Sequence, residues 1–256
     1  MTARKAGGGT TGGAPGGGGR RLARERPLKS RTRKPSSRQW LERQLNDPYV
    51  AEARRAGWRS RAAFKLIELD QRFRLLKPGQ RVVDLGAAPG GWTQVAVERV
   101  RSLPKDGAKD GAKGGAGGKV LAVDIQEVAP IPGAELLIAD LREAEAAAMI
   151  RQRLGGPVDV VLSDMSPSTT GHGATDHLRI VVLCEAAYAL AREVLAEGGA
   201  FVAKVFQGGA TSELLAVLKR DFATVRHAKP PASRTESAET YVVALGFRGR
   251  PGATMP

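Results

Sequence analysis

Three aspartates in this sequence each follow a short apolar run that is typical of a buried strand. They are Asp124 after 119–123, Asp140 after 135–139, and Asp164 close behind 158–162. Because the carboxyl ends of parallel strands meet at one edge of a sheet, we expect three carboxylates around a single crevice. A carboxylate at the end of the second strand binds ribose hydroxyls in nucleoside-binding α/β folds, and this is the chemistry predicted for Asp124.

A glycine-rich loop precedes these acids. The apolar run Val82-Val83-Asp84-Leu85 leads into Gly86-Ala87-Ala88-Pro89-Gly90-Gly91, and helical apolar spacing begins at Trp92. This order predicts strand, tight loop and helix, with a ligand at the loop. The spacing matches neither the dinucleotide fingerprint nor the Walker motif. It suits S-adenosylmethionine (SAM), whereas a nucleotide site and a plain strand–helix turn remain open from the pattern alone.

Two lysines interrupt apolar segments. Lys204 lies in the predicted strand 200–208. Burial of a lysine is costly unless its ammonium reaches solvent, a cleft or carboxylates, so a functional role is predicted. Lys65 lies in a predicted helix with Ser60 as candidate N-cap, and the pattern alone favours a solvated lysine there.

No metal site is predicted. His172 and His177 fall in the predicted loop 168–177 without a third ligand, and Cys184 is the single cysteine. Cys184 is interpreted as a core residue of the predicted helix 178–197. The lone cysteine, with neither an apolar run of membrane-span length nor a secretory signal, favours a cytoplasmic protein that binds no membrane.

The charge is unevenly distributed along the 256 residues. The net charge is +14, and residues 1–38 hold 11 Lys/Arg and one acid. This segment is interpreted as a disordered basic Gly/Arg-rich extension, followed by one domain at 39–248 with a flexible insertion at 102–118, and by a disordered tail at 249–256. Nucleic acid is the expected partner, with a solubilising tail as the alternative. A second basic cluster at Arg54, Arg55, Arg59 and Arg61 could position a phosphate backbone.

Five segments carry a resemblance to a known family. They are SRAAFKL at 60–66, VVDLGAAPGGW at 82–92, SDM at 163–165, VAKVFQG at 202–208, and SR with ETY at 233–241. Together they resemble the FtsJ (RrmJ) family of SAM-dependent RNA ribose 2′-O-methyltransferases, most closely its bacterial members that act on large-subunit ribosomal RNA. The resemblance implies a doubly wound, Rossmann-like sheet of seven strands, the last antiparallel.

The resemblance also implies roles for individual residues. The family's catalytic Lys-Asp-Lys-Glu set falls on Lys65, Asp164, Lys204 and Glu239. This assignment replaces the interpretation of Lys65 as a solvated lysine. Lys204 becomes the candidate base or the group that polarises the 2′-hydroxyl. The cofactor contacts carry over to Gly90, Trp92, Asp124, Asp140 and Asp164.

The expected partner is ribosomal RNA, with a uridine of 23S RNA in the large subunit as target and a monomeric enzyme. The alternative is a non-catalytic RNA-binding ribosome-assembly factor that keeps the SAM fold. A dinucleotide-dependent oxidoreductase is a distant third.

Overall fold

A mixed β-sheet forms the centre of the computed structural model, which describes residues 45–103, 117–167, 172–207 and 212–249. Its strands are β1 (Arg81–Leu85), β2 (Lys119–Asp124), β3 (Ala134–Ile138), β4 (Val158–Ser163), β5 (Leu195–Phe206), β6 (Phe222–Ala228) and β7 (Glu239–Phe247). In the described part of the chain they form a seven-stranded sheet in the order β3-β2-β1-β4-β5-β7-β6. The pairs from β3 to β5 are parallel, and β7 runs antiparallel to both β5 and β6. The predicted α/β fold with an antiparallel last strand is confirmed.

Helices cover both faces of the sheet. They are α1 (Pro48–Arg55), α2 (Ala62–Phe73), α3 (Gly91–Val100), α4 (Ala146–Leu154), α5 (Gly173–Val194) and α6 (Ser212–Asp221). One apolar cluster joins the sheet to α4, α5 and α6, and a second joins it to α2 and α3. Coverage on both faces explains why the central strands are apolar runs without alternation. Cys184 is buried in the first cluster, as its pattern predicted.

Several predicted boundaries were wrong. The N-cap of α2 is Arg61, not Ser60, and no side chain caps this end by a hydrogen bond. Helix α5 begins at Gly173, so His177 is helical.

The same helix ends at Val194, because the chain turns there directly into β5. Gly198, with φ of 78°, lies inside that strand, where the register against β4 shifts between Val158 and Val160. Gly198 and Gly199 directly follow the predicted helix 178–197, where the sequence pattern predicts a helix stop, but they form an irregularity within a strand. The sequence pattern also predicts a strand that starts at Val225, whereas the corresponding strand β6 begins three residues earlier, at Phe222.

Some predictions concern residues outside the described ranges. The basic extension 1–38, most of the insertion 102–118 and most of the tail 249–256 are among them. In the described ranges, no helix is long and apolar enough to cross a membrane.

Candidate active site

Gly86 and Asp124 determine how the loop between β1 and α3 packs. Gly86 has φ of 73°, and a Cβ there would lie 2.4 Å from Cγ of Met165, the residue after Asp164. The main-chain N–H of Ala88 donates to Oδ2 of Asp124 at 2.9 Å, and that of Gln126 donates to Oδ1 at 2.9 Å. Asp124 is therefore oriented by two main-chain donors, and each of its oxygens retains capacity to accept from a ligand.

A cavity of about 680 Å³ opens at the carboxyl ends of the parallel strands. Its walls come from the loop after β1, the ends of β2, β3 and β4, and one side of α5. Asp124, Asp140 and Asp164 all line it, so the structure brings the three aspartates to one crevice. Ligands bind at this place in open α/β sheets, and the volume lies in the range of small-molecule sites.

Asp140 carries a bidentate partner. Nε of Arg142 donates to Oδ1 at 2.9 Å, and Nη2 donates to Oδ2 at 2.5 Å. The main-chain N–H of Arg142 donates to Oδ1 as well, at 3.0 Å. These hydrogen bonds lower the pKa of Asp140 to about 2. Asp140 is thus a charged acceptor at the rim of the cavity.

Gly90 and Trp92 do not lie in the wall of the cavity with the three aspartates. Gly90 is the N-cap of α3, with φ of 111°. The indole N–H of Trp92 donates to the carbonyl of Ala62 at 2.8 Å, and its ring lies 5.5 Å from that of Tyr241. The Trp92 side chain therefore packs between α2 and β7, and neither residue is among those that line the cavity. That Gly90 and Trp92 contact the cofactor therefore stays a prediction. Because the Trp92 side chain packs elsewhere, its contact would come from main-chain atoms.

Two residues of the predicted phosphate-binding cluster make contacts within the protein. The Arg59 guanidinium donates to the carbonyls of Pro89, Ala129 and Pro130, at 3.3, 2.7 and 2.5 Å. It ties the glycine-rich loop to the segment after β2. Arg61 donates to the carbonyl of Ala232.

The four residues of the implied catalytic set meet beside the cavity. Nζ of Lys204 lies 3.0 Å from Oδ1 of Asp164 and 3.2 Å from Oε1 of Glu239. Nζ of Lys65 lies 2.9 Å from Oε2 of the same Glu239. They come from α2, from the position directly after β4, from the carboxyl-terminal part of β5 and from the start of β7. Asp164 belongs to this cluster and also lines the cavity, which joins the two halves of the site.

Comparison with known proteins gives the class of this site. A family model described as FtsJ-like methyltransferase matches residues 58–247, which include all four residues of the cluster. The chain belongs to the FtsJ-like methyltransferase family.

The relatives agree with this assignment. Proteins named ribosomal RNA large subunit methyltransferase E are 62% identical in Paramagnetospirillum magneticum and 59% in Rhodospirillum rubrum. Each match covers 86% of this chain, and 86% and 80% of the respective relative. A Plasmodium falciparum crystal structure described as a ribosomal RNA methyltransferase superimposes with a TM-score of 0.64 at 28% identity, covering 75% of this chain and all of the other.

The electrostatics of the FtsJ-like cluster favour the ammonium form of Lys204. Burial lowers the pKa of Lys204, but the carboxylates of Asp164 and Glu239 outweigh it and hold that pKa above the usual 10.5. Burial also disfavours the charged form of Glu239 and so raises its pKa, but the ammonium groups of Lys204 and Lys65 bring that pKa down to about 2. The pair therefore stays ionised at neutral pH.

Hydrogen bonding agrees with this charge state. Besides the two carboxylates, Nζ of Lys204 donates to the main-chain carbonyl of Asp164 at 2.9 Å. An ammonium has three N–H groups, and three acceptors surround this one.

Two residues of the site were missed by sequence reasoning. The Tyr241 hydroxyl donates to Oδ1 of Asp164 at 2.7 Å, and burial is the main reason why the pKa of Tyr241 lies well above 10. Two-residue alternation in β7 places Tyr241 on the same face as Glu239, and this signal could have found it. Asp84 in β1 is completely buried and accepts from Thr93 Oγ1 at 2.6 Å. Its place in an apolar run gave no indication of that contact.

Proposed function

We propose that this chain transfers the methyl group of SAM to a ribose 2′-hydroxyl of large-subunit ribosomal RNA, with a uridine of 23S RNA as the target, in the cytoplasm. The observation that carries the proposal is the shared position of Asp164, which lines the cavity and contacts Lys204. A methyl donor in the cavity and an acceptor oxygen at the lysine would meet there. The names of the relatives support ribosomal RNA as the acceptor.

The residues that line the cavity fit SAM. Its ribose hydroxyls match the oriented carboxylate of Asp124, its adenine amino group matches Asp140, and its ammonium matches Asp164. All three groups are hydrogen-bond donors, and ionised carboxylates are acceptors only. SAM supplies a methyl group that is already activated by a sulfonium, so the protein mainly aligns the acceptor oxygen with the donor.

Lys204 takes the role of orienting and polarising the 2′-oxygen. As an ammonium with three acceptors it has no lone pair for a proton, which argues against its role as the base. One of its N–H groups can turn from a carboxylate to the 2′-oxygen. As the new C–O bond forms, the hydroxyl becomes strongly acidic, so an ionised carboxylate of the cluster suffices to accept its proton. Lys204 and Lys65 together hold Glu239 in this ionised state.

The test is transfer of labelled methyl from SAM to ribosomal particles and to protein-free ribosomal RNA. Wild type is compared with Lys204→Ala and with Lys219→Ala, an exposed lysine of α6 that serves as matched control. We expect an alkali-resistant, 2′-O-methylated dinucleotide with wild type and Lys219→Ala. We expect its loss with Lys204→Ala, while SAM binding by calorimetry stays within about twofold because Lys204 does not line the cavity.

Two other results would contradict the proposal, and a third comparison identifies the substrate. Turnover that survives in Lys204→Ala would contradict the role of Lys204. Wild type that binds SAM but labels neither acceptor would contradict the enzyme and favour the non-catalytic assembly factor. The better of the two acceptors identifies the substrate as free RNA or as the assembled particle.

A further inference from the structure

Residues on one side of α2 make three polar contacts with the start of β7 and with the segment that joins β6 to β7. Arg61, Lys65 and Glu68 are four and three residues apart, a spacing that places them on one side of a helix. Lys65 reaches Glu239, the first residue of β7. The residues on either side of it, Arg61 and Glu68, both contact Ala232 in the connecting segment.

Both main-chain polar groups of Ala232 are bonded to this side of α2. Nη2 of Arg61 donates to the Ala232 carbonyl at 2.5 Å, and the Ala232 N–H donates to Oε2 of Glu68 at 2.7 Å. Ala232 is completely buried, so these groups have no access to bulk water. Hydrogen bonds with one charged partner are shorter and stronger than those between neutral groups. The connecting segment is therefore attached to α2 at Ala232.

The rest of the connecting segment is folded back on itself up to Glu239. Nζ of Lys229 donates to the carbonyls of Thr235 and Ser237 at 3.0 and 2.7 Å. The main-chain N–H of Glu239 in turn donates to Oγ of Ser237 at 3.1 Å. The position of Glu239 thus depends on this segment as well as on the pairing of Glu239 with Phe206 of β5, and the segment is attached to α2 at Ala232.

We propose that Arg61 and Glu68 are positioning residues for methyl transfer: by holding both main-chain groups of Ala232, they set Glu239 against Lys65 and, through Glu239, orient Lys204. This inference rests on the proposed function. Neither residue is among those that line the cofactor cavity, so neither should change SAM binding directly. Their effect is therefore confined to the geometry of the reacting oxygen.

Glu68 carries the test, because a carboxylate does not bind RNA phosphates and its loss cannot be confused with lost RNA affinity. Misplacement of a catalytic group by about 1 Å can reduce the rate about a hundredfold. We expect Glu68→Ala to lower kcat, at saturating SAM and RNA, by about 10- to 100-fold, with KM for RNA and the dissociation constant of SAM within about twofold of wild type. Arg61→Ala should lower kcat in the same way.

Three companion variants separate positioning from general damage. Glu68→Gln keeps an oxygen that can accept from Ala232, and we expect it to restore kcat to within about threefold of wild type. Tyr49→Phe removes the 3.4 Å contact of the Tyr49 hydroxyl with Oε1 of Glu68 but keeps Oε2, which accepts from Ala232, and should leave kcat unchanged. Gln71→Ala, at an exposed site of α2, is the matched control and should also be unchanged.

Two outcomes would overturn the inference while wild type is active. One is a Glu68→Ala variant whose kcat stays within about twofold of wild type. The other is a variant in which kcat, SAM affinity and melting temperature fall together and which Gln does not restore, since this describes a structural residue. Wild type without methyl transfer would instead overturn the proposed function, and the inference with it.

Discussion

At the scale of single residues, the charge state of Lys204 makes a prediction about pH. A neutral lysine base with a pKa above 10.5 would be scarce at neutral pH, and the rate would rise about tenfold per pH unit. An orienting ammonium is fully formed throughout this range, and Glu239, with a pKa of about 2, is fully ionised. We therefore expect the single-turnover rate of methyl transfer to stay level between about pH 6 and 9.

The measurement is a rapid-quench series with SAM and RNA both saturating, so that binding does not enter. A steady tenfold rise per pH unit would contradict the orienting role and make Lys204 the base. The melting temperature of the protein across the same series is the control for partial unfolding.

Asp84 makes a separate prediction about stability. Burial raises its pKa from 3.8 to about 7, although the hydrogen bond from Thr93 opposes this. Its Oδ1 is buried and has no hydrogen-bond partner among the described residues. The folded state thus holds a proton that the unfolded state has already released, so the free energy of unfolding should fall as pH rises from about 4 to 7 and level off above. The change in pKa corresponds to roughly 4 kcal/mol at most.

Asp84→Asn should remove this pH dependence, because the amide is neutral at every pH and its oxygen still accepts from Thr93. Urea unfolding at about pH 5 and 8 would measure it, with Glu98→Gln on the exposed side of α3 as control. Equal slopes with pH in wild type and Asp84→Asn would show that Asp84 does not bind this proton.

At the scale of elements, the loop between β1 and α3 can be tested through Gly86. Gly86 and Gly198 have similar φ angles, 73° and 78°, so alanine at either site carries a similar strain of about 1–2 kcal/mol. Only at Gly86 does the added Cβ collide with another element, 3.2 Å from Cα of Met165, whereas nothing lies within 4 Å at Gly198. Gly86→Ala should therefore weaken SAM binding about tenfold or more, and Gly198→Ala should leave it unchanged.

Calorimetry with SAM measures the affinity of each variant, and a melting curve measures its stability. Equal SAM affinity in both variants, with equal loss of stability, would mean that the contact between this loop and Met165 does not shape the cavity.

The elements were also the level at which sequence reasoning succeeded. Apolar runs located the strands, and strand ends placed Asp124, Asp140 and Asp164 at one edge, because a parallel sheet relates local pattern to position. The pattern could not assign Lys65, since a charged residue on a helix is usually solvated. Lys65 is buried by a partner 174 positions away in the chain, and that contact depends on the whole fold.

The same reasoning explains the remaining errors. Gly198 reads as a helix stop locally, yet the pairing of β5 with β4 includes it in a strand. The bonds of Arg61 and Glu68 to Ala232 involve main-chain groups, which leave no trace in a sequence pattern.

At the scale of the whole molecule, charge separates the extension from the domain. Residues 1–38 carry a net +10 of the total +14, so +4 remains for residues 39–256. Each phosphate that a protein neutralises adds roughly 0.7–0.9 to the slope of log affinity against log salt concentration. Deletion of residues 1–38 should therefore lower this slope for ribosomal RNA by several units and weaken binding most at low salt.

SAM binding should be unaffected by the deletion, because every residue that lines the cavity lies within 86–186. The matched control replaces the eleven basic residues of the extension by Ser at unchanged length, which separates charge from chain length. A filter-binding series over salt concentration measures the slope for all three proteins. Equal slopes would mean that the extension does not touch the RNA and that its charge serves solubility. A lower slope in both altered proteins, with kcat at saturating RNA preserved, would make the extension an electrostatic tether for RNA that the domain alone then positions for reaction.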